Sequence, residues 1–280
     1  MLKNTYSLFI LSFCLVAIPT SNSLIAQTGP AGVGSSTENQ IWLDAHALGA
    51  ADGALIGSWT DVSGNGSNFN QGSSGKQPLY NADGIGGVPS LTFDGVNDVL
   101  ISAAMPSLET NEFTYFIVYD RTTTTSDMLI NANYSSNFKK WRTYMNNGQT
   151  TVNSAHFSPS INWVRYTDPP GATFLETEIT ATSLKTYNQG VLEMSKTATF
   201  TTPSGHIETY LGCRNAVAVS SYNYTGEMAE VIVYTSTLND LEKVLVENYL
   251  GAKYGMDIPS DLYDYEADHK FGLIGLGDDG

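Results

Sequence analysis

Four side chains in the middle of the chain have the chemistry to hold a sugar: Trp141, Arg142, Tyr144 and Trp163. Pyranose C–H faces stack on aromatic rings, and hydroxyls want planar polar partners. Here rings and a guanidinium recur within two short runs rich in Asn and Thr. Period alone also fits Trp141 and Trp163 to a core, where most tryptophans of a sandwich reside, and the same reasoning places Trp42 and Trp59 there. Two loops offer oxygen ligands. Asp61, Ser63 and Asn65 stand with Gly64 and Gly66, and Asp94, Asn97 and Asp98 follow a strand-like run. Calcium takes six to eight such oxygens from a bent loop, so Asp61, Asn65, Asp94 and Asp98 are candidate ligands for a structural Ca²⁺. The same Asp-Gly and Asn-Gly pairs are also ordinary turn chemistry.

Hydrolytic chemistry finds less support. A glycosidase needs two carboxylates about 5–5.5 Å apart for retention, or wider for inversion. Glu176 and Glu178 are roughly 6.8 Å apart along one strand face, and their threonine neighbours suggest a solvated face. Glu227 and Glu230 differ by three residues and point to opposite sides of a strand. The order Asp264-Tyr265-Glu266-Ala267-Asp268 lies in a tail without strand neighbours. His46, His156, His206 and His269 flank no Gly-x-Ser-x-Gly elbow and form no His-x-x-x-His pair, so they read as surface or loop residues. Cys213 reads as a small core residue. The expectation is a protein that is not an enzyme, with no catalytic residues.

Elements must position these groups. From residue 90 onward, short apolar or alternating runs recur between turn signals: Ser90–Phe93, Val99–Ser102, Phe113–Tyr119, Met128–Asn131, Trp141–Met145, Asn162–Tyr166, Thr173–Ile179, Leu184–Asn188, Val191–Met194, Glu208–Leu211 and Gly226–Tyr234. Many short strands at this spacing predict an all-β sandwich or barrel. Phe113–Tyr119 is apolar or aromatic at all but Thr114, as for a central strand covered on both faces. Asn188-Gln189-Gly190 signals a hairpin. Residues 49–90, dense in Gly, Ser, Asn and Asp, read as long loops pinned by Trp59 and Phe69. The one helix runs over Asp240–Tyr254. Asn239 and Glu242 form a capping box, and Gly255 ends the helix. Leu241, Val244, Leu245, Tyr249 and Ala252 make its apolar stripe. Its expected place is across one end or edge of the sandwich.

Taken together, several runs resemble the LamG-like modules of bacterial surface proteins, within the concanavalin A-like lectin/glucanase superfamily. The matching pieces are Ile41-Trp42-Leu43-Asp44-Ala45, Trp59-Thr60-Asp61-Val62-Ser63-Gly64-Asn65-Gly66, Leu91-Thr92-Phe93-Asp94-Gly95-Val96-Asn97-Asp98, Tyr187-Asn188-Gln189-Gly190-Val191-Leu192, and Gly226 to Gly255. The resemblance implies a two-sheet antiparallel jelly-roll sandwich over residues 39–256 with one C-terminal helix. It also implies a recognition or adhesion module for an extracellular glycan or glycoprotein, with calcium as a common accompaniment. A structural spacer within a surface adhesin is the alternative. A glycoside hydrolase is a further one, but the Glu-x-Asp-x-Glu strand pattern of this fold's glucanases is missing.

Residues 257–280, with seven acids against Lys270, form an acidic tail that resembles the start of a truncated following module; further domains of a larger surface protein are therefore expected partners. At the other end, Lys3, the apolar run Leu8–Ile18 and small Ala26 describe a cleaved secretory signal peptide over 1–26, too short to span a bilayer. Residues 27–38 read as a flexible leader. The expected address is secreted, extracellular or at a bacterial cell surface. A net charge of −15 disfavours nucleic acid and anionic membranes as partners.

Overall fold

The apolar run at Phe113–Tyr119 demands cover on both sides, and the architecture supplies it. The computed structural model describes residues 29–122, 127–135, 141–146, 149–154, 163–167, 171–214 and 222–262; for residues 146, 149–154 and 163–166 the backbone alone is described. The signal peptide expected over 1–26 and the tail from residue 263 lie outside these residues. In chain order the strands are β1 (Asn39–Asp44), β2 (Ser58–Trp59), β3 (Phe69–Asn70), β4 (Leu79–Asn81), β5 (Ser90–Asp94), β6 (Leu100–Ser102), β7 (Phe113–Arg121), β8 (Asp127–Tyr134), β9 (Trp141–Asn146), β10 (Gln149–Ser154), β11 (Trp163–Thr167), β12 (Gly171–Ile179), β13 (Ser183–Asn188), β14 (Val191–Thr197), β15 (His206–Leu211) and β16 (Thr225–Tyr234). One α-helix, α1 (Asp240–Tyr254), follows.

The strands form two antiparallel sheets. The first runs β14-β13-β12-β7-β16-β5-β4. There β16 pairs with β5 through Thr225–Met228 and with β1 through Glu230–Tyr234, on the edge opposite β7. The second runs β11-β10-β9-β8-β15-β6-β3-β2. This is the expected sandwich, consistent with a jelly roll. Phe113, Tyr115, Ile117 and Tyr119 of β7 face the core between the sheets, with Trp59, Phe69, Leu129, Trp141 and Leu211. Phe116 and Val118 face the other way, into a second apolar layer with Ile232, Val246, Leu250 and Tyr254.

That second layer corrects the expected placement of the helix. It packs on the outer face of the first sheet, not across an end or edge. Its boundaries are as expected: Asn239 and Glu242 bond each other's backbone N–H, and Gly255 closes it at φ 64. The buried stripe differs from the predicted one. It keeps the predicted Ala252, with Leu245 and Tyr249 packed at its side, but adds Lys243, Val246, Glu247, Leu250, Lys253 and Tyr254, while Leu241 is 64% exposed. The sheet beneath carries buried carboxylates, so the face that fits it is partly charged.

Lys253 is the centre of this contact. Its ammonium donates to Asp44 Oδ2, Glu230 Oε2 and Tyr249 Oη, each at 2.8 Å, which uses all three of its protons. Glu230 also accepts from Trp42 Nε1 at 2.7 Å, Tyr249 Oη at 3.0 Å and Tyr254 Oη at 2.8 Å. Glu178 accepts from Lys185 and Lys243 in the same way. The solvated face expected for Glu176 and Glu178 is thus corrected: both are buried beneath α1.

Three smaller expectations also change. The loops of 49–90 contain β2, β3 and β4, two or three residues each and too short for a periodic signal. Of the expected flexible leader, residues 29–35 pack against the domain while 36–38 are exposed: Pro30 and Val33 are buried, and Gly34, at φ 81, lets the backbone pass against the Tyr234 ring. Trp42, expected in the core, lies on the outer face beside Tyr249. The hairpin expectation holds, with Gln189 at φ 48 and Gly190 at φ 76 between β13 and β14, the two positive φ angles of a type I′ turn. Among the described residues, no helix is long and apolar enough to cross a membrane.

Candidate ligand-binding site

The outer face of the second sheet carries a pocket of about 220 Å³, lined among the described residues by Met128, Arg142, Tyr144, Arg214 and Tyr222. Period-2 alternation builds half of it. Trp141, Thr143 and Met145 of β9 face the core, where the Tyr115 hydroxyl meets Thr143 at 2.9 Å, so Arg142 and Tyr144 point outward. A bulge in β8 between Met128 and Ile130 sends both Leu129 and Ile130 into the core and leaves Met128 opposite Tyr144 on the pocket side. The other wall comes from the segment after β15. Asn131 of β8 donates from Nδ2 to the Arg214 carbonyl at 2.8 Å and so ties that segment to the sheet. Tyr222 holds φ 77, a conformation costly for a bulky residue and more common where a site needs it.

The four polar linings touch one another. The Arg142 guanidinium carbon lies 5.3 Å from the Tyr144 ring centre, and that of Arg214 lies 5.7 Å from the Tyr222 ring centre. The two rings meet edge to face, with centroids 5.7 Å apart. Burial lowers the Arg142 guanidinium from its ordinary value, and the nearby Arg214 charge lowers it further, while the two phenols act the other way. Two cations therefore share a partly desolvated space.

The sequence candidates divide. Arg142 and Tyr144 are in the pocket. Trp141 is corrected: it is fully buried, stacked at a tilt on Phe113 and Tyr115, and presents no ring to solvent. Trp163 stands in register with Asn153, which stands opposite Arg142; its side chain lies outside the described residues. Met128, Arg214 and Tyr222 were missed. They come from distant parts of the chain, joined by the pairing of β15 with β8 at Tyr210↔Asn131 and by a bridge between Asp127 and Tyr222.

The acidic loops serve turns. Asp61 Oδ1 accepts from the N–H groups of Trp42 and Ser63, and Oδ2 accepts from Ser63 Oγ and the Ser67 N–H, at 2.7–3.1 Å. Asn65 donates from Nδ2 to the Asn39 carbonyl. Asp94 Oδ1 accepts from the N–H groups of Val96, Asn97 and Asp98, and Asp98 accepts from the Asp94 N–H. Burial, with the Asp94 charge beside it, raises Asp98 to about 6. These oxygens thus serve the hydrogen bonds of their own turns. Among the described residues, no three His, Cys, Asp or Glu converge on a metal-sized space.

Of the histidines, His46 is exposed as expected, while His156 and His269 lie outside the described residues. His206 is corrected: it is buried in β15, accepts the Met105 N–H at Nδ1, and faces Thr209 at Nε2. Cys213 is buried beside Val99 and Tyr210.

No family model matches this sequence, and no curated protein does. Solved structures match in fold. The binding domain of botulinum neurotoxin serotype D is similar over 76% of this chain at 10% identity with a TM-score of 0.55; the chain spans about half (51%) of that domain. Domain 4 of AbnA, an extracellular arabinanase of Geobacillus stearothermophilus solved with arabinotriose, is similar over 75% of this chain and 97% of its own, at 17% identity and a TM-score of 0.53. A Trypanosoma rangeli sialidase is similar over 84% of this chain and 36% of its own, at 14% identity and a TM-score of 0.54. These likenesses establish the fold, a sandwich of two antiparallel sheets.

Proposed function

We propose that this protein is a secreted, non-catalytic carbohydrate-recognition module, and that it binds glycans at the pocket on the outer face of the second sheet. The observation that carries this reading is the pocket itself, where two phenol rings and two guanidiniums meet in about 220 Å³. Such a space lies below the ~300–1,000 Å³ of drug-sized sites and suits one sugar unit at a time, with rings for its C–H faces and fixed donors for its hydroxyls. The arabinotriose bound to the similar arabinanase domain supports a sugar as ligand. The acids that could have formed a hydrolase pair, Glu176 and Glu178, are sealed under α1, which favours binding over cleavage. Export rests on Lys3, the apolar run Leu8–Ile18 and Ala26.

A glycan array followed by titration calorimetry tests the reading. Tyr144→Ala and Tyr222→Ala should each weaken the best ligand by roughly three- to ten-fold, the worth of one ring contact; Tyr144 is only 7% exposed, so its variant should also lower the melting temperature, whereas Tyr222→Ala should leave it close to wild type. Failure to bind any glycan at millimolar concentration would favour the spacer role instead.

A further inference from the structure

We propose that the pocket selects acidic glycans, gripping an oxyanion substituent, carboxylate or sulfate, between Arg142 and Arg214; this rests on the glycan-binding reading above. Three observations carry it. The first is geometric: both guanidiniums line one small pocket, each lying over a tyrosine ring that orients it. An arginine fork matches a carboxylate or sulfate with two parallel bonds, and ring packing reduces the freedom lost on binding.

The second is electrostatic. Like charges in a partly desolvated space repel: burial is the main cause that lowers Arg142, and the Arg214 charge adds to it against the two phenols. An anion between them removes the repulsion and replaces lost hydration. A neutral sugar does neither, so the pocket discriminates by penalty as well as by attraction.

The third is in the sequence. The chain carries 28 acids against 13 Lys and Arg. Yet residues 128–167, which hold most of β8 and all of β9, β10 and β11, contain Lys139, Lys140, Arg142 and Arg165 and no Asp or Glu. The segment from Arg214 to Tyr222, Arg-Asn-Ala-Val-Ala-Val-Ser-Ser-Tyr, has no acid either. This stretch of an acidic sequence is free of acids between Asp127 and Asp168, and from it Arg142 and Tyr144 reach the pocket, whose described lining holds no acid. Charge complementarity of this kind raises the encounter rate with an anionic ligand and orients it.

The experiment is a calorimetric comparison of matched ligands on the full chain: uronic- and nonulosonic-acid-terminated oligosaccharides, their methyl esters, neutral parents, and sulfated counterparts. Carboxylated or sulfated sugars should bind about ten-fold or more tightly than the ester or neutral parent, as expected for charge-assisted bonds. Arg142→Gln and Arg214→Gln should each abolish that preference, while Arg142→Lys, which keeps charge but not the fork, should keep part of it. A sulfate-only or carboxylate-only preference identifies the source and supports the proposal. Equal or tighter binding of neutral and esterified sugars would overturn it and leave the glycan reading standing. Absence of binding to every class would overturn both. Since Arg214 is exposed, its variant folds independently of the outcome, and melting curves verify this.

Discussion

Replacing Lys253 by methionine probes what fastens the helix to the sheet. In the native state the ammonium is almost wholly buried, with a side-chain exposure of 2%, against a Glu230 carboxylate at 0%. Burial alone would lower Lys253, but the Glu230 and Asp44 charges outweigh it and hold it charged. Methionine keeps the length of the stem and removes the charge. Glu230 retains three donors, from Trp42, Tyr249 and Tyr254, but loses the cation that balances it. Breaking one side of a buried ion pair costs about 3–5 kcal/mol. For a domain of this size each kcal/mol shifts Tm by about 2–4 °C, so the melting temperature should fall by roughly 6–20 °C. The deficit should widen as pH rises from the ordinary carboxyl value, about 4.5, toward neutrality. Burial already raises Glu230, and a folded-state carboxyl raised above its unfolded value loses stability as pH rises through it. Adding Glu230→Gln should recover part of the loss, because an amide accepts from the same donors without a charge. Circular dichroism melts at the two ends of that range suffice. A single variant within about 2 °C of wild type, or a double variant no better than the single, would refute this account of the network.

Glu176 gives a second pH test. Among the described residues no N–H or O–H donor faces either of its buried oxygens; the group beside it is Glu247 of α1. Burial first, and this second carboxyl next, raise Glu176 well above its ordinary value, so stability should fall as pH rises above about 4.5, and Glu176→Gln should flatten that slope and raise Tm at neutral pH; an unchanged slope would contradict the pairing. His206 acts oppositely. Burial lowers it to about 4, so the folded state loses up to about 3 kcal/mol as pH falls from about 6.5 toward about 4, and His206→Gln should reduce that acid sensitivity in equilibrium urea melts. Calcium should leave Tm unchanged while Asp61→Ala lowers it by several degrees; a Tm that climbs with calcium and falls with EGTA would overturn the turn assignment of Asp61.

The fold was largely legible because its strongest signals are local. The seven-residue apolar run at Phe113, the capping pair Asn239 and Glu242, and the Asn188-Gln189-Gly190 turn each depend on neighbours a few residues away. What failed depended on pairing across the chain. Hydrophobic period put Leu241 inward and ignored Lys243 and Lys253, because it cannot see that Glu178 and Glu230 wait on the sheet below. Trp141 and Arg142 are adjacent, so alternation allowed only one of them to face outward, but it could not decide which; the Thr143–Tyr115 contact decides it. Arg142 and Tyr144 were found from residue type. Arg214 and Tyr222 were not, since their approach to β9 requires the β8–β15 register.

The two outer faces of the sandwich use cations in different ways. Under α1, Lys185, Lys243 and Lys253 are each committed to buried or half-buried acids. On the second sheet, Arg142 and Arg214 sit over tyrosines beside a pocket with no acid among its described linings. Salt separates these sets. Ion pairs out of reach of solvent are screened little, whereas charges at a pocket mouth are screened over the ~8–10 Å of a physiological Debye length. Raising ionic strength should therefore weaken capture of an acidic glycan while leaving the melting temperature nearly constant. Loss of both together would mean that the helix contact is solvated, and loss of neither would mean that the arginine pair does not meet its ligand as a charge.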